Sequence, residues 1–153
     1  MGFNFDLKIG QYYEKKYIER RGFKNLHYPK DEKFTEYDFR DMDTGFSYEV
    51  KSDRKTRMTG NLFLEYECSG KKSGIATSDA DYYIYFVCSK TNPHESDYYY
   101  KIHLDVLKKK IENKEYHKVV SYCGDGGHVK GYLMYESVLK DYKKTYLIRE
   151  NKS

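Results

Sequence analysis

The chain has 153 residues, 39 % of them hydrophobic and 34 % charged, enough for one packed domain that buries roughly two thirds of its unfolded surface and needs no second one. Twenty-eight basic against 24 acidic residues leave a net charge of +4, too mild to mark a nucleic-acid partner by charge alone. Three cysteines, odd in number and without a C-x-x-C pair, suggest neither a disulfide framework nor a zinc site. No apolar run approaches the ~18 residues of a membrane span, and MGFNFDLKIG lacks the charged start and apolar stretch of a signal peptide. A single domain over residues 1–153 is expected, cytosolic or, in a eukaryotic host, nuclear, with no membrane partner. Nineteen tyrosines carry hydroxyls that need water or a partner wherever they are buried.

The first predicted element is a helix over residues 6–21, with Asp6 as N-cap, an apolar stripe of Ile9, Tyr13, Tyr17 and Ile18, and Gly22 as the stop. Glu14 borders that stripe. Two strands follow, over residues 34–41 and 46–51, joined at Met42-Asp43-Thr44-Gly45, with Asp43 as turn former. Asn61 to Cys68 alternates as a third strand, and the polar stretch Ser69 to Ser78 is a loop. Asp81 to Cys88 is apolar on both faces, as a mid-sheet strand is. Tyr98 to His103 is predicted as an edge strand, Asp105 to Asn113 as a helix, Gly124 to Gly127 as a turn, Gly131 to Tyr135 as a short strand, and Glu136 to Tyr142 as one or two helical turns. No repeat or low-complexity tract interrupts the series. The order predicts a mixed α/β fold with a central mixed β-sheet flanked by helices.

Chemistry is densest in Tyr37-Asp38-Phe39 through Glu49-Val50-Lys51. Glu49 and Lys51 share one face of a strand, roughly 6.6 Å apart along it, while Val50 turns to the core. A tight turn at Asp43-Thr44 pairs Arg40 with Ser47 and sets Asp38 opposite Glu49, about 5 Å away between Cβ atoms. Asp41 and Asp43, the rival aspartates, lie too near the turn for that register. Two facing carboxylates repel unless a cation sits between them. A hard ion such as Mg²⁺, or Mn²⁺ in its place, takes such oxygens, and the Val50 carbonyl is placed to add another. A metal-activated water beside an ammonium is what phosphodiester hydrolysis requires, with Lys51 as the water-orienting cation. Glu14 extends the set toward a second metal, and Glu65 by hydrogen bonding to a ligand or water.

These residues resemble the PD-(D/E)xK nuclease superfamily: Glu14, Asp38, Glu49 and Lys51 match its helix glutamate, strand aspartate and E-x-K in order. Gly60 to Glu65, Ser73 to Thr77 and Ala80 to Tyr83 also look like small phage and large-DNA-virus nucleases, including Holliday-junction resolvase relatives. The resemblance covers residues 10–88 well and the remainder loosely. Tyr37 stands where the superfamily has its proline, a departure that removes no ligand. The resemblance implies a restriction-endonuclease-like core, Mg²⁺-dependent DNA cleavage, branched or junction DNA as substrate, and a homodimer.

Arg54 and Lys55 beyond the E-x-K, and Lys71, Lys72, Ser73 and Thr77 in the following loop, are the expected DNA contacts. That loop lacks the G-x-x-x-x-G-K-[ST] spacing of a nucleotide-binding loop. Five scattered histidines form no ligand pair, and Tyr98 to Tyr100 read as strand packing. The alternative function is a non-catalytic DNA-binding or protein-interaction module, in which Glu49 and Lys51 are an exposed charge pair.

Overall fold

The computed structural model describes residues 3–29, 37–124 and 127–149. Helix α1 (Phe3–Arg21) buries Ile9, Tyr13 and Tyr17, spaced four apart on one face. It ends at Gly22, whose φ of 69° is the left-handed conformation that glycine adopts at least cost. Asp6, expected to cap this helix, lies inside it. Nothing in Phe3-Asn4-Phe5 breaks a helix, so the element starts a turn earlier.

Three short elements follow: β1 (Leu26–His27), β2 (Phe39–Asp41) and β3 (Ser47–Asp53). The expected strand from residue 34 begins only at Phe39; residues 34–36 lie outside the described set. The hairpin pairs Arg40 with Ser47 and Phe39 with Tyr48, the expected register, but across a four-residue loop instead of a two-residue turn. Asp41 N–H donates to the Phe46 carbonyl at 2.9 Å, and Gly45 N–H to the Asp41 carbonyl at 2.7 Å. The turn former is Asp41 rather than Asp43. Its buried carboxylate accepts from Thr44 Oγ1 at 2.8 Å and from the Asp43 N–H at 3.3 Å.

After the single turn α2 (Thr56–Thr59), β4 (Asn61–Cys68) forms as expected. The expected loop after it holds more structure than its polarity suggests. Ser69 and Gly70, with φ of 51° and 81°, make a two-residue turn with both φ positive into β5 (Lys71–Lys72), and a 3-10 turn spans Gly74–Ala76. Then come β6 (Tyr82–Cys88), β7 (Ser96–His103), α3 (Leu104–Glu112), β8 (Lys118–Gly124), β9 (Gly127–Tyr135), a 3-10 segment (Glu136–Tyr142) and β10 (Lys143–Ile148).

The strands form two sheets: a mixed six-stranded one in the order β1-β2-β3-β6-β7-β10, and an antiparallel one in the order β5-β4-β9-β8. Among the described residues one strand pair is parallel, β3 with β6, and it sets Glu49 against Tyr83 and Lys51 against Tyr85. Strand β6 is mid-sheet as expected. β7 is not an edge, because β10 covers it with Lys143 opposite Tyr100. β4 leaves the central sheet to found the second one. The chain is thus a mixed α/β protein, and among the described residues no helix is long and apolar enough to cross a membrane.

The central sheet has two unlike faces. Tyr48, Val50, Ile84 and Phe86 pack beneath Ile9, Tyr13 and Tyr17 of α1. On the other face Tyr83, Tyr85, Val87, Tyr100 and Ile102 meet Leu62 and Leu64 of β4, Met134 of β9, and Leu104 and Leu107 of α3. Side chains of adjacent strand residues point to opposite faces. Glu49 and Lys51 therefore stand on the second face, at its border with the apolar core.

Candidate functional site

Just ahead of β2, its place beside β3 is taken by a side chain. Asp38 N–H donates to the Tyr48 carbonyl at 2.9 Å, and Val50 N–H donates to Asp38 Oδ2 at 2.7 Å. The carboxylate thus closes a strand edge that the backbone leaves open. The N–H and C=O of one strand residue point to the same edge, so the Val50 carbonyl faces the side that Asp38 occupies.

Burial pushes the Asp38 carboxyl above its ordinary range, against the opposing pull of the Val50 N–H and the Lys51 ammonium. Lys51 Nζ lies 3.1 Å from Glu49 Oε1; the Lys51 side chain is 41 % exposed and that of Glu49 12 %. Desolvation acts to lower the Lys51 pKa, but Glu49, Tyr83 and Asp38 outweigh it and hold the ammonium above its usual value. Lys51 is a fixed cation at neutral pH, suited to orienting a water and unsuited to taking a proton.

Tyr83 of β6 stands opposite Glu49 in the parallel register. Its ring is 3 % exposed. Burial raises its phenol, Lys51 lowers it, and Glu49, Glu65 and Asp38 raise it further. One buried hydroxyl thus feels all four charged residues of the cluster. Asp38 lies on the Glu49 and Lys51 side of the sheet, and the Glu65 carboxylate of β4 acts on the same phenol from the second sheet.

Glu65 is held with care. Ser73 Oγ donates to Glu65 Oε2 at 2.7 Å. Gly74 approaches so closely that a Cβ there would meet the Glu65 carbonyl oxygen at 2.3 Å, and its φ is 53°. The loop expected to grip phosphate, Gly70 to Gly74 with Thr77 and Ser78, supports an acidic residue through Ser73 and Gly74. Thr77 Oγ1 turns to the Gly74 carbonyl at 3.4 Å. The Ala80 to Tyr83 segment is anchored similarly: Ser47 N–H donates to Asp81 Oδ2 at 2.9 Å, and Asp81 N–H returns to Ser47 Oγ at 3.0 Å. That clamp ties the start of β3 to the start of β6 and so fixes Glu49 beside Tyr83.

The other expected site residues are spread more widely. Glu14 is on α1, the layer that packs over the Tyr48 and Val50 face, and acts on the Tyr28 phenol, which burial and then Glu14 raise. Arg54 and Lys55 are exposed at the end of β3, and Lys71 and Lys72 are exposed on β5. Tyr83 is the residue that sequence reasoning missed. Its motif was visible, but only the parallel register places it against Glu49.

Among the described residues, no three His, Cys, Asp or Glu side chains are gathered as a metal centre. The donor set that suits a hard divalent ion is the pair Asp38 and Glu49 with the Val50 carbonyl. A buried carboxyl whose ionisation is disfavoured is one that a bound cation would relieve. Comparison with protein-family models, with curated proteins and with solved structures finds no match.

Proposed function

We propose that the protein is a metal-dependent DNA endonuclease, with a restriction-endonuclease-like core and its active site at Asp38, Glu49 and Lys51. One observation carries this reading: two acidic side chains and a fixed ammonium meet at a strand edge toward which a main-chain carbonyl also points. Asp38, Glu49 and the Val50 carbonyl would hold the ion, Mg²⁺ or Mn²⁺. Bound there, it would supply Lewis-acid polarisation of a phosphate and a more acidic water.

The protein's own residues account for the rest. Lys51 orients the attacking water and offsets negative charge growing on the phosphorane. Glu49 holds that ammonium through the 3.1 Å ion pair. Glu65, set by Ser73, accepts a hydrogen bond from water or ligand at the rim. The buried Tyr83 phenol lies within the electrostatic reach of Lys51, Glu49, Glu65 and Asp38. Lys71, Lys72, Arg54 and Lys55 supply exposed cations for the phosphate backbone. Branched or junction DNA is the substrate class proposed, with a homodimer as the acting assembly.

The test is incubation of purified protein with labelled linear, nicked and four-way DNA, with and without Mg²⁺. Mg²⁺-dependent cleavage that Glu49→Gln abolishes is expected. DNA binding without cleavage in either Mg²⁺ or Mn²⁺ would instead point to a non-catalytic binding module.

A further inference from the structure

The second sheet carries an aromatic surface that the proposed chemistry does not use. Phe63 and Glu65 lie two residues apart on β4 and so share a face, roughly 6.6 Å apart along the strand. Opposite Glu65 stands Gly131 of β9. The Phe63 ring lies across that glycine, where a Cβ would come within 2.4 Å of Phe63 Cε1. Beyond it is Tyr122 of β8, its ring centroid 5.5 Å from that of Phe63 at 54°. Tyr122 is 46 % exposed, and Lys55 Nζ sits 5.5 Å from its ring centroid. The sheet thus runs from Glu65, across a half-buried ring seated on a glycine, to an exposed ring with a cation above it.

We propose that Phe63 and Tyr122 form a stacking platform for unpaired bases of the DNA strand entering the site. The proposal rests on the nuclease reading for the nature of the ligand, and it narrows the substrate to DNA with a single-stranded arm. A flat aromatic ring offers every base a π-face, whereas duplex DNA keeps its bases stacked on one another and has none to offer. Lys55 supplies the charge complement. Its ammonium, now over the Tyr122 ring, has a phosphate to neutralise once a base takes the ring face. Gly131 has a reason in this arrangement, since any side chain there would lift Phe63 off the sheet.

The experiment measures binding by fluorescence anisotropy with Ca²⁺ present. The probes are a labelled single-stranded oligonucleotide, a blunt duplex, and a duplex with a single-stranded flap. Tyr122→Ala, at an exposed position, is expected to weaken the single strand and the flap by at least ~5-fold, the low end for losing one stacked base, and to leave the blunt duplex within about twofold. Tyr122→Phe is expected to restore wild-type affinity, because stacking needs the ring and not the hydroxyl. A 2-aminopurine in the arm is expected to change emission with wild type and Tyr122→Phe only. Equal affinities of wild type and Tyr122→Ala for the single strand, equal losses on all three probes, or no single-strand binding by wild type would each overturn the platform. A Mg²⁺ cleavage arm separates the two readings. Cleavage with no Tyr122 dependence of binding removes the platform and keeps the nuclease, and Tyr122-dependent binding without cleavage does the reverse.

Discussion

The two faces of β3 differ more than their alternating sequence suggests. Tyr48 and Val50 point into an aromatic layer where Phe39 stacks on Tyr48 with centroids 5.1 Å apart and Tyr17 meets Tyr48 at 5.7 Å. Glu49 and Lys51, one residue out of phase, point to a face where apolar core gives way to charge. The first face is held by aromatic packing, tight enough to bury the Tyr17 hydroxyl without a hydrogen-bond partner. The second holds an ionisable acid that burial disfavours and an ammonium that several neighbours hold protonated. Packing on one face of β3 thus offsets the cost of holding partly buried charge on the other.

If that contrast is right, substitutions on the two faces should fail in different ways. The largest effect is expected from Phe39→Ala on the packed face, a loss of about 3–5 kcal/mol of stability by urea denaturation, as for other buried aromatics. Lys51→Ala should fold normally and bind DNA, yet cleave it at least ~100-fold more slowly in single-turnover assays, the scale of one lost transition-state donor. Normal cleavage by that variant would break the comparison. Tyr83→Phe, which removes the hydroxyl that the four charged groups act on, is expected to slow cleavage by up to about tenfold, with little change in melting temperature.

The smallest effect has the most telling sign. Because burial raises the folded-state pKa of Asp38, its proton is bound more tightly in the folded than in the unfolded chain. Its contribution to stability is therefore most favourable at low pH and is lost as pH rises through the raised value. Asp38→Asn, which keeps an oxygen for the Val50 N–H, is expected to melt higher than wild type in metal-free buffer above that value. The advantage should shrink as pH falls and reverse when Mn²⁺ is added. Melting curves by scanning calorimetry across pH, with and without Mn²⁺, check it; a variant less stable than wild type at every pH would contradict the burial argument.

Much of this was legible in the chain. The period of four in Ile9, Tyr13 and Tyr17 gave α1, and the alternation of Asn61 to Cys68 gave β4 with its bounds. The pairing of Arg40 with Ser47 followed from the turn, although the turn itself is longer, because a loop of four in place of two preserves the same partners. β8 and β10 were missed for different reasons. Lys118-Val-Val-Ser shows no clean alternation, and Lys143-Lys-Thr-Tyr is charged where it caps the central sheet as an edge strand, as edges are. The second sheet could not be read at all, since nothing local in β4 says which strand it will join. For the site, the Asp38, Glu49 and Lys51 grouping was readable from one hairpin. Tyr83 and the setting of Glu65 depend on a parallel register and on the close approach of Gly74, both of them long-range.

The central claim is that Asp38 and Glu49 hold one divalent ion beside Lys51. Crystals soaked in Mn²⁺ test it most directly through anomalous scattering. A peak is expected between the two carboxylates, about 2.0–2.2 Å from an oxygen of each. A map with no peak there, or with the ion bound elsewhere while the Glu49 and Lys51 pair stays closed, would contradict it.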